Sequence, residues 1–275
     1  MVSVWTILCC VITLLVSLVL PVVILAVFTA KHRKQGIISA WFLGAAGFFV
    51  TQILIRVPIL TVLQNQNWFV AFSQNHLFFY AFCLAFTAGL FELAGRFAVA
   101  KLLKKKHLDF KHALAAGLGH GGIEAMILIG GAYISNLAMI AMINSGTFDP
   151  MLAETAALGV DVTQLEQIRE QLVTYSPALF LLSGVERILA MICHAAMSML
   201  VCYGIAHNKV LPCTLICLGI HVWIDLTAGL GMILPQATAY CMIYAILIVA
   251  AGVSLWIMRK LHCRWQSAPK KEETL

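Results

Sequence analysis

Apolar runs close to the ~20 residues that a helix needs to cross a bilayer recur about seven times in this chain, and they dictate its architecture. They lie near 4–30, 37–63, 76–100, 113–143, 176–206, 210–234 and 238–258. In the hydrocarbon region the backbone must satisfy its own hydrogen bonds, which favours helices. Only 11% of the 275 residues are charged and 61% are hydrophobic, against about 25% charged in a soluble domain. The expected fold is all-α and polytopic, with about seven transmembrane helices in a lipid bilayer. The third, fourth and fifth runs are long, so tilt or interfacial ends are expected there.

The connecting segments orient the chain. Lys31, Arg33 and Lys34 follow the first run, and Lys101, Lys104, Lys105, Lys106 and Lys111 lie between the third and fourth. Lys209 lies between the fifth and sixth; Arg259, Lys260, Arg264, Lys270 and Lys271 follow the seventh. All fall on one side of a seven-span arrangement, which the positive-inside rule makes cytoplasmic, so the N-terminus is expected outside and the C-terminus inside. The other side receives 64–67 and an acidic loop with Asp149, Glu154, Asp161, Glu166 and Glu170. Topology therefore accounts for the net charge of +6 without a nucleic-acid partner. The first run has no basic segment ahead of it and exceeds a typical signal-peptide core, so it is expected to remain as a helix.

One helical membrane domain, 1–263, and a disordered cytoplasmic tail, 264–275, are the economical organisation. Within the outer loop 144–175, Asp149 before Pro150 reads as an N-cap, and Thr163 with Glu166 as a capping box. Leu165, Ile168 and Leu172 form an apolar stripe there, predicting an amphipathic helix on the outer interface. The nine Cys residues form no CxxC pattern and mostly lie inside spans, as small buried thiols do. Cys213 and Cys217 precede His221 at i+4 steps, but the drift of about 40° per step is expected to turn Cys213 elsewhere.

Ionisable residues in four of the spans oppose this apolar setting. Glu92 and Arg96, His120 and Glu124, and His221 and Asp225 are i, i+4 pairs, each on one helix face; His194 stands alone in the fifth span. A charge at the bilayer centre costs roughly 2.5 to 3.5 kcal/mol, so such residues line a protein interior or a wet cavity. Measured from the nearest lysine at ~1.5 Å per residue, Glu92 and His120 lie about 13 Å deep, His221 about 18 Å and His194 about 22 Å. Four helices thus bring them to a common layer. Glu92, Glu124, Glu186 and Asp225 outnumber Arg96 and Arg187 by two, an excess that protonation, charged histidines or a divalent cation would offset. Three histidines with carboxylates match a zinc ligand set, giving His120, His194 and His221 as metal ligands. Glu186 and Arg187 read as charge partners, Arg187 also as an oxyanion donor, and Arg56 as a side chain snorkelling to the outer surface. Gly117, Gly119, Gly121 and Gly122 around His120 permit close helix approach.

On FELAGRF, GHGGIEA, ERILAMICHAAMS and HVWID, the chain resembles the YhfC family of intramembrane metalloproteases, distantly related to the CAAX-protease and bacteriocin-processing (Abi) group. The wider group's pattern is Glu-Glu-x-x-x-Arg, a His one helix later, then His-x-x-x-Asn/Asp. Glu92 and Arg96 match its second Glu and its Arg, His120 the first His, and His221 with Asp225 the last motif; Phe91 replaces the first Glu. The resemblance implies hydrolysis of a membrane-associated peptide or protein in the cell membrane.

The residues themselves fit a water activated by metal or by His120, His194 and His221, with Glu92 or Glu124 as base and Asp225 orienting a histidine. A proton- or ion-coupled transporter using the same residues is the chief alternative, and a seven-helix receptor or scaffold the second.

Overall fold

A computed structural model describes residues 1–32, 36–231 and 233–266. Arg33, Lys34 and the tail 267–275, including Lys270 and Lys271, lie outside the described residues, and so do the orientation and disorder expected of them.

Among the described residues seven helices are long and apolar enough to cross a membrane. They are α1 (Val4–Lys31), α2 (Ile37–Gln64), α4 (Leu77–Lys106), α5 (Phe110–Ser145), α8 (Pro177–Ala206), α9 (Val210–Leu230) and α10 (Gln236–Gln266). The described residues also form three shorter helices: α3 (Asn67–Asn75) between α2 and α4, then α6 (Phe148–Ala157) and α7 (Thr163–Thr174) between α5 and α8. This is the expected all-α polytopic membrane fold.

Helix ends depart from the apolar runs where local chemistry decides. α4 extends through Lys104, Lys105 and Lys106, because lysine is a good helix former whose charge suits a helix C-terminus. α10 continues through Arg264 to Gln266, so the segment from Arg264 begins as helix and not as tail. Leu261 is buried there, and the Trp265 ring packs edge-on against Tyr203 at 5.3 Å. In the acidic loop the capping residues differ from expectation. α6 starts at Phe148 after Thr147, which leaves Pro150 in the first turn. α7 starts at Thr163, whose hydroxyl and amide both donate to Asp161 Oδ1, so Thr163 is the first helical residue and does not act as the cap.

The chain forms two compact units. The first comprises Met1–Val23 and Glu124–Ile188. Its core is Val2, Cys10, Tyr133, Ile140, Leu172 and Phe180, and the Phe180 carbonyl accepts from both Thr13 and Tyr133. The buried Leu172 shows the predicted stripe of α7 packed into this core.

The second unit comprises Ile24–Ile123 and Leu189–Leu275. Small residues let its helices meet backbone to backbone. A Cβ on Gly44 of α2 would overlap the Ala116 carbonyl of α5, and one on Gly119 of α5 would overlap the Trp41 carbonyl of α2. A Cβ on Gly117 would lie 2.6 Å from Ala195 Cα of α8. These contacts draw α5 against two neighbours at the level of His120.

Phe49–Arg56, within α2, is π-helical. Two local features favour the wider register. The Thr51 hydroxyl binds the Gly47 carbonyl at 2.8 Å, competing with the backbone ladder, and Pro58 has no N–H to offer Leu54. A second π-helical stretch, Ala125–Gly130, follows Glu124.

The loop between α4 and α5 is fixed by Asp109. Its Oδ1 accepts the His112 backbone N–H at 2.9 Å, capping α5. Partial burial pushes the Asp109 carboxyl up, but the bonds from His112 outweigh burial and hold it below the ordinary carboxylate range.

Candidate metal centre

Glu92 and Arg96 lie on the buried stripe of α4, whose other members include Ala85, Ala88, Gly89, Gly95 and Val99. The small side chains let α9 approach: a Cβ on Gly89 would lie 3.4 Å from the His221 ring. On α9 the buried stripe is Cys213, Cys217, His221 and Thr227. Cys213 therefore shares the buried face instead of turning away, since the apolar stripe of a packed helix is wide enough to absorb a 40° drift. Cys213 and Cys217 sit in the apolar core, and among the described residues no potential metal cluster includes a cysteine.

Glu92 is the hub. Its Oε2 lies 3.0 Å from Arg96 Nη2, 3.0 Å from His120 Nε2, and 3.6 Å from both His194 Nδ1 and His221 Nδ1. Its Oε1 accepts from Gln52 Nε2 at 2.9 Å. Exposure is 5% for Glu92, 3% for Arg96 and between 1% and 7% for the three histidines, so a dry interior enforces these contacts. The rings stack: His120 on His194 with centroids 5.3 Å apart, and Phe48 edge-on to His120 at 5.3 Å. The sequence places these side chains at one depth; the structure brings one ligand atom each of Glu92, His120 and His194 within 4.8 Å of one another.

Hydrogen-bond chemistry assigns the protons. Arg96 Nη2 also lies 2.6 Å from His194 Nδ1, and a guanidinium can only donate, so His194 Nδ1 accepts and its proton is on Nε2. His221 Nε2 lies 3.2 Å from Asp225 Oδ2, where its N–H serves the carboxylate. His221 Nδ1 then presents a lone pair toward Glu92 Oε2, itself an acceptor, and among the described residues this buried nitrogen has no hydrogen-bond partner. Two facing acceptors in a dry site call for a cation or a proton between them.

The donor set suits a metal. Imidazole and carboxylate are zinc ligands, and three imidazole nitrogens meet one oxygen of Glu92 here, each 3.0 to 3.6 Å from it. Arg96 Nη2 is the present partner of the His194 lone pair, so binding there requires the guanidinium to withdraw.

Glu124, Glu186 and Arg187 belong to the first unit. Arg187 Nη1 donates to Glu124 Oε1 at 2.9 Å, and Arg187 Nη2 pairs with Glu186 Oε1. On its own helix Glu124 stands one turn after His120.

Two members of the buried network are not legible as site residues in the sequence. Gln52 carries no charge, yet it is 5% exposed and holds Glu92 Oε1 while also donating to the Ala88 carbonyl. Its signal was an amide four residues before Arg56 in mid-span. Arg56 does not snorkel: Nη2 donates to the Leu84 carbonyl at 2.7 Å and Nη1 to Gln52 Oε1 at 3.3 Å. The π-helical register of Phe49–Arg56 carries it toward α4. Counting Arg56 as an interior cation lowers the carboxylate excess from two to one, and within the second unit Glu92 and Asp225 balance Arg56 and Arg96. Charge imbalance is thus a weaker argument for an ion than the facing lone pairs.

A multi-pass helical membrane protein with a buried Glu–His cluster is the class that fold and site define. Within that class, residues 16–250 match the model of the YhfC intramembrane metalloprotease family, and the chain belongs to that family. It is 30% identical over 247 residues to the uncharacterized membrane protein YhfC of Bacillus subtilis (strain 168), covering 89% of this chain and 92% of the relative. No solved structure matches.

Proposed function

We propose that this protein hydrolyses a peptide bond of a membrane-associated peptide or protein, with zinc held by His120, His194 and His221 and with Glu92 as general base. The observation that supports it is the convergence of three imidazole nitrogens within 3.6 Å of one buried carboxylate oxygen, in a chain of a metalloprotease family. When bound, the ion would polarise water and lower its pKa toward ~7.

The remaining work falls to the chain. Gln52 anchors Oε1, and Arg96 and His120 each meet Oε2 at 3.0 Å, so Oε2, the oxygen that faces the histidines, is the atom placed to meet water. Glu92 takes the water proton there and returns it to the departing amide nitrogen. Asp225 holds the His221 ring with Nδ1 inward. Glu124, paired with Arg187 at 2.9 Å, is the alternative base, one turn from His120. Glu186 neutralises the other side of Arg187, which leaves Arg187 as support for Glu124 before any role at an oxyanion.

The test uses protein reconstituted in proteoliposomes with a library of membrane-anchored peptides, reading new amino termini by mass spectrometry. Glu92→Gln should lower cleavage by about 10² to 10⁴-fold, the usual contribution of a general base. Cleavage unchanged in both Glu92→Gln and His120→Ala would end the proposal; Glu92-dependent proton flux without cleavage would favour a transporter.

A further inference from the structure

We propose a second metal site, independent of the buried cluster, in which His107, Asp109 and His112 bind a divalent transition metal of the zinc type at the end of the membrane domain. The three residues lie on the loop joining α4 to α5 and in the first turn of α5. One carboxylate oxygen and one imidazole nitrogen from each histidine all lie within 4.8 Å of one another. Imidazole and carboxylate are the ligands that such ions select.

Hydrogen bonding explains only part of this geometry. His112 Nδ1 lies 2.7 Å from Asp109 Oδ1, an ordinary bond in a capped helix start. His107 needs another account: its side chain is 68% exposed on the loop, yet Nε2 is turned onto the second oxygen, Oδ2, at 3.4 Å. That separation is long for a hydrogen bond but equals the ~3.4 Å edge between two ligands of a tetrahedral ion. The two rings meet edge to face with centroids 4.9 Å apart, so both present nitrogen to the same carboxylate.

The frame is rigid where a site needs it. Asp109 is tied by its cap bond and His112 is 5% exposed, which leaves only His107 to close on an incoming ion. A cavity of ≈ 510 Å³ opens beside them, lined by Gly36, Ser39, Lys106 and Lys111 as well as by the three ligands. It gives water access to the remaining coordination positions. The two lysines oppose a cation, so this site should be the weaker of the two. Its loop joins the helices that carry Glu92 and His120, and an ion there would clamp their ends together.

The experiment is equilibrium dialysis of the purified full chain against Zn²⁺, with Co²⁺ absorption reporting ligand geometry. His107 is exposed and outside the core, so His107→Ala should fold as wild type does; Asp109 is left intact because it caps α5. The expected result is the loss of one equivalent of metal in His107→Ala and in His112→Gln. That loss should be separate from any equivalent removed by His120→Ala. His107→Ala should also lose the part of the Zn²⁺-induced rise in Tm that His120→Ala keeps. If wild type binds a single equivalent that His107→Ala abolishes, the site stands and the buried cluster is the one without metal. If His107→Ala and the His107→Ala/His112→Gln double variant bind as many equivalents as wild type with equal affinity, the site does not exist.

Discussion

Asp225→Asn isolates the role of a group that touches no proposed ligand atom except through His221. In the present geometry Asp225 Oδ2 takes the His221 Nε2 proton at 3.2 Å, which leaves the Nδ1 lone pair inward. An asparagine that turns its amide nitrogen to the ring reverses the tautomer: Nε2 becomes an acceptor, and the proton moves to Nδ1, where an ion would bind. Losing such an orienting carboxylate weakens metal binding by about 10- to 100-fold. At 1.4 kcal/mol per factor of ten, that is about 1.4 to 2.8 kcal/mol. The side chain of Asp225 is 37% exposed, so the fold should lose little, and the effect should appear in affinity and not in Tm without metal. The assay is competition for Zn²⁺ with a chromogenic chelator, run in the His107→Ala background so that one site is read. An affinity within twofold of the parent would refute the tautomer assignment and with it the inward lone pair.

Three further outcomes are expected. Gln52→Leu strips the Glu92 Oε1 atom of its donor at 2.9 Å, and an unsatisfied buried acceptor costs about 1 to 3 kcal/mol; an unchanged denaturation midpoint in mixed micelles would contradict it. Gly119→Ala forces a methyl into the Trp41 carbonyl, and overpacking of this kind destabilises by about 1 to 3 kcal/mol or more, so wild-type Tm in that variant would show that α2 and α5 can separate freely. Cys263, exposed near the end of α10, should react with a membrane-impermeant maleimide only from the cytoplasmic face; labelling from outside in intact cells would invert the proposed topology.

Hydropathy made the seven spans legible, because length and apolarity alone decide which segments a bilayer accepts. Pairs within one helix were legible too: Glu92 meets Arg96 at 3.0 Å and His221 meets Asp225 at 3.2 Å, as a repeat of four residues requires. Partners from different helices were not. Glu124 and Arg187 are 63 residues apart, and no local rule assigns one to the other. Gln52 escaped because a neutral amide gives no hydropathy alarm, and Arg56 was misread because a π-helical turn changes which face a residue occupies. The loop of His107, Asp109 and His112 was read only for its lysines, which define sidedness but hide the ligands between them.

The Arg96 guanidinium, wedged between Glu92 Oε2 and His194 Nδ1, has a consequence for biogenesis. Many small metal domains stay unfolded until the ion arrives, because the free energy of binding it is what folds them. Here a resident side chain supplies positive charge at the most acidic point of the interior, so membrane insertion and helix assembly need not wait for metal supply. On the proposed function, folding would come first and metal loading second, and protein made without the metal would still assemble in the membrane.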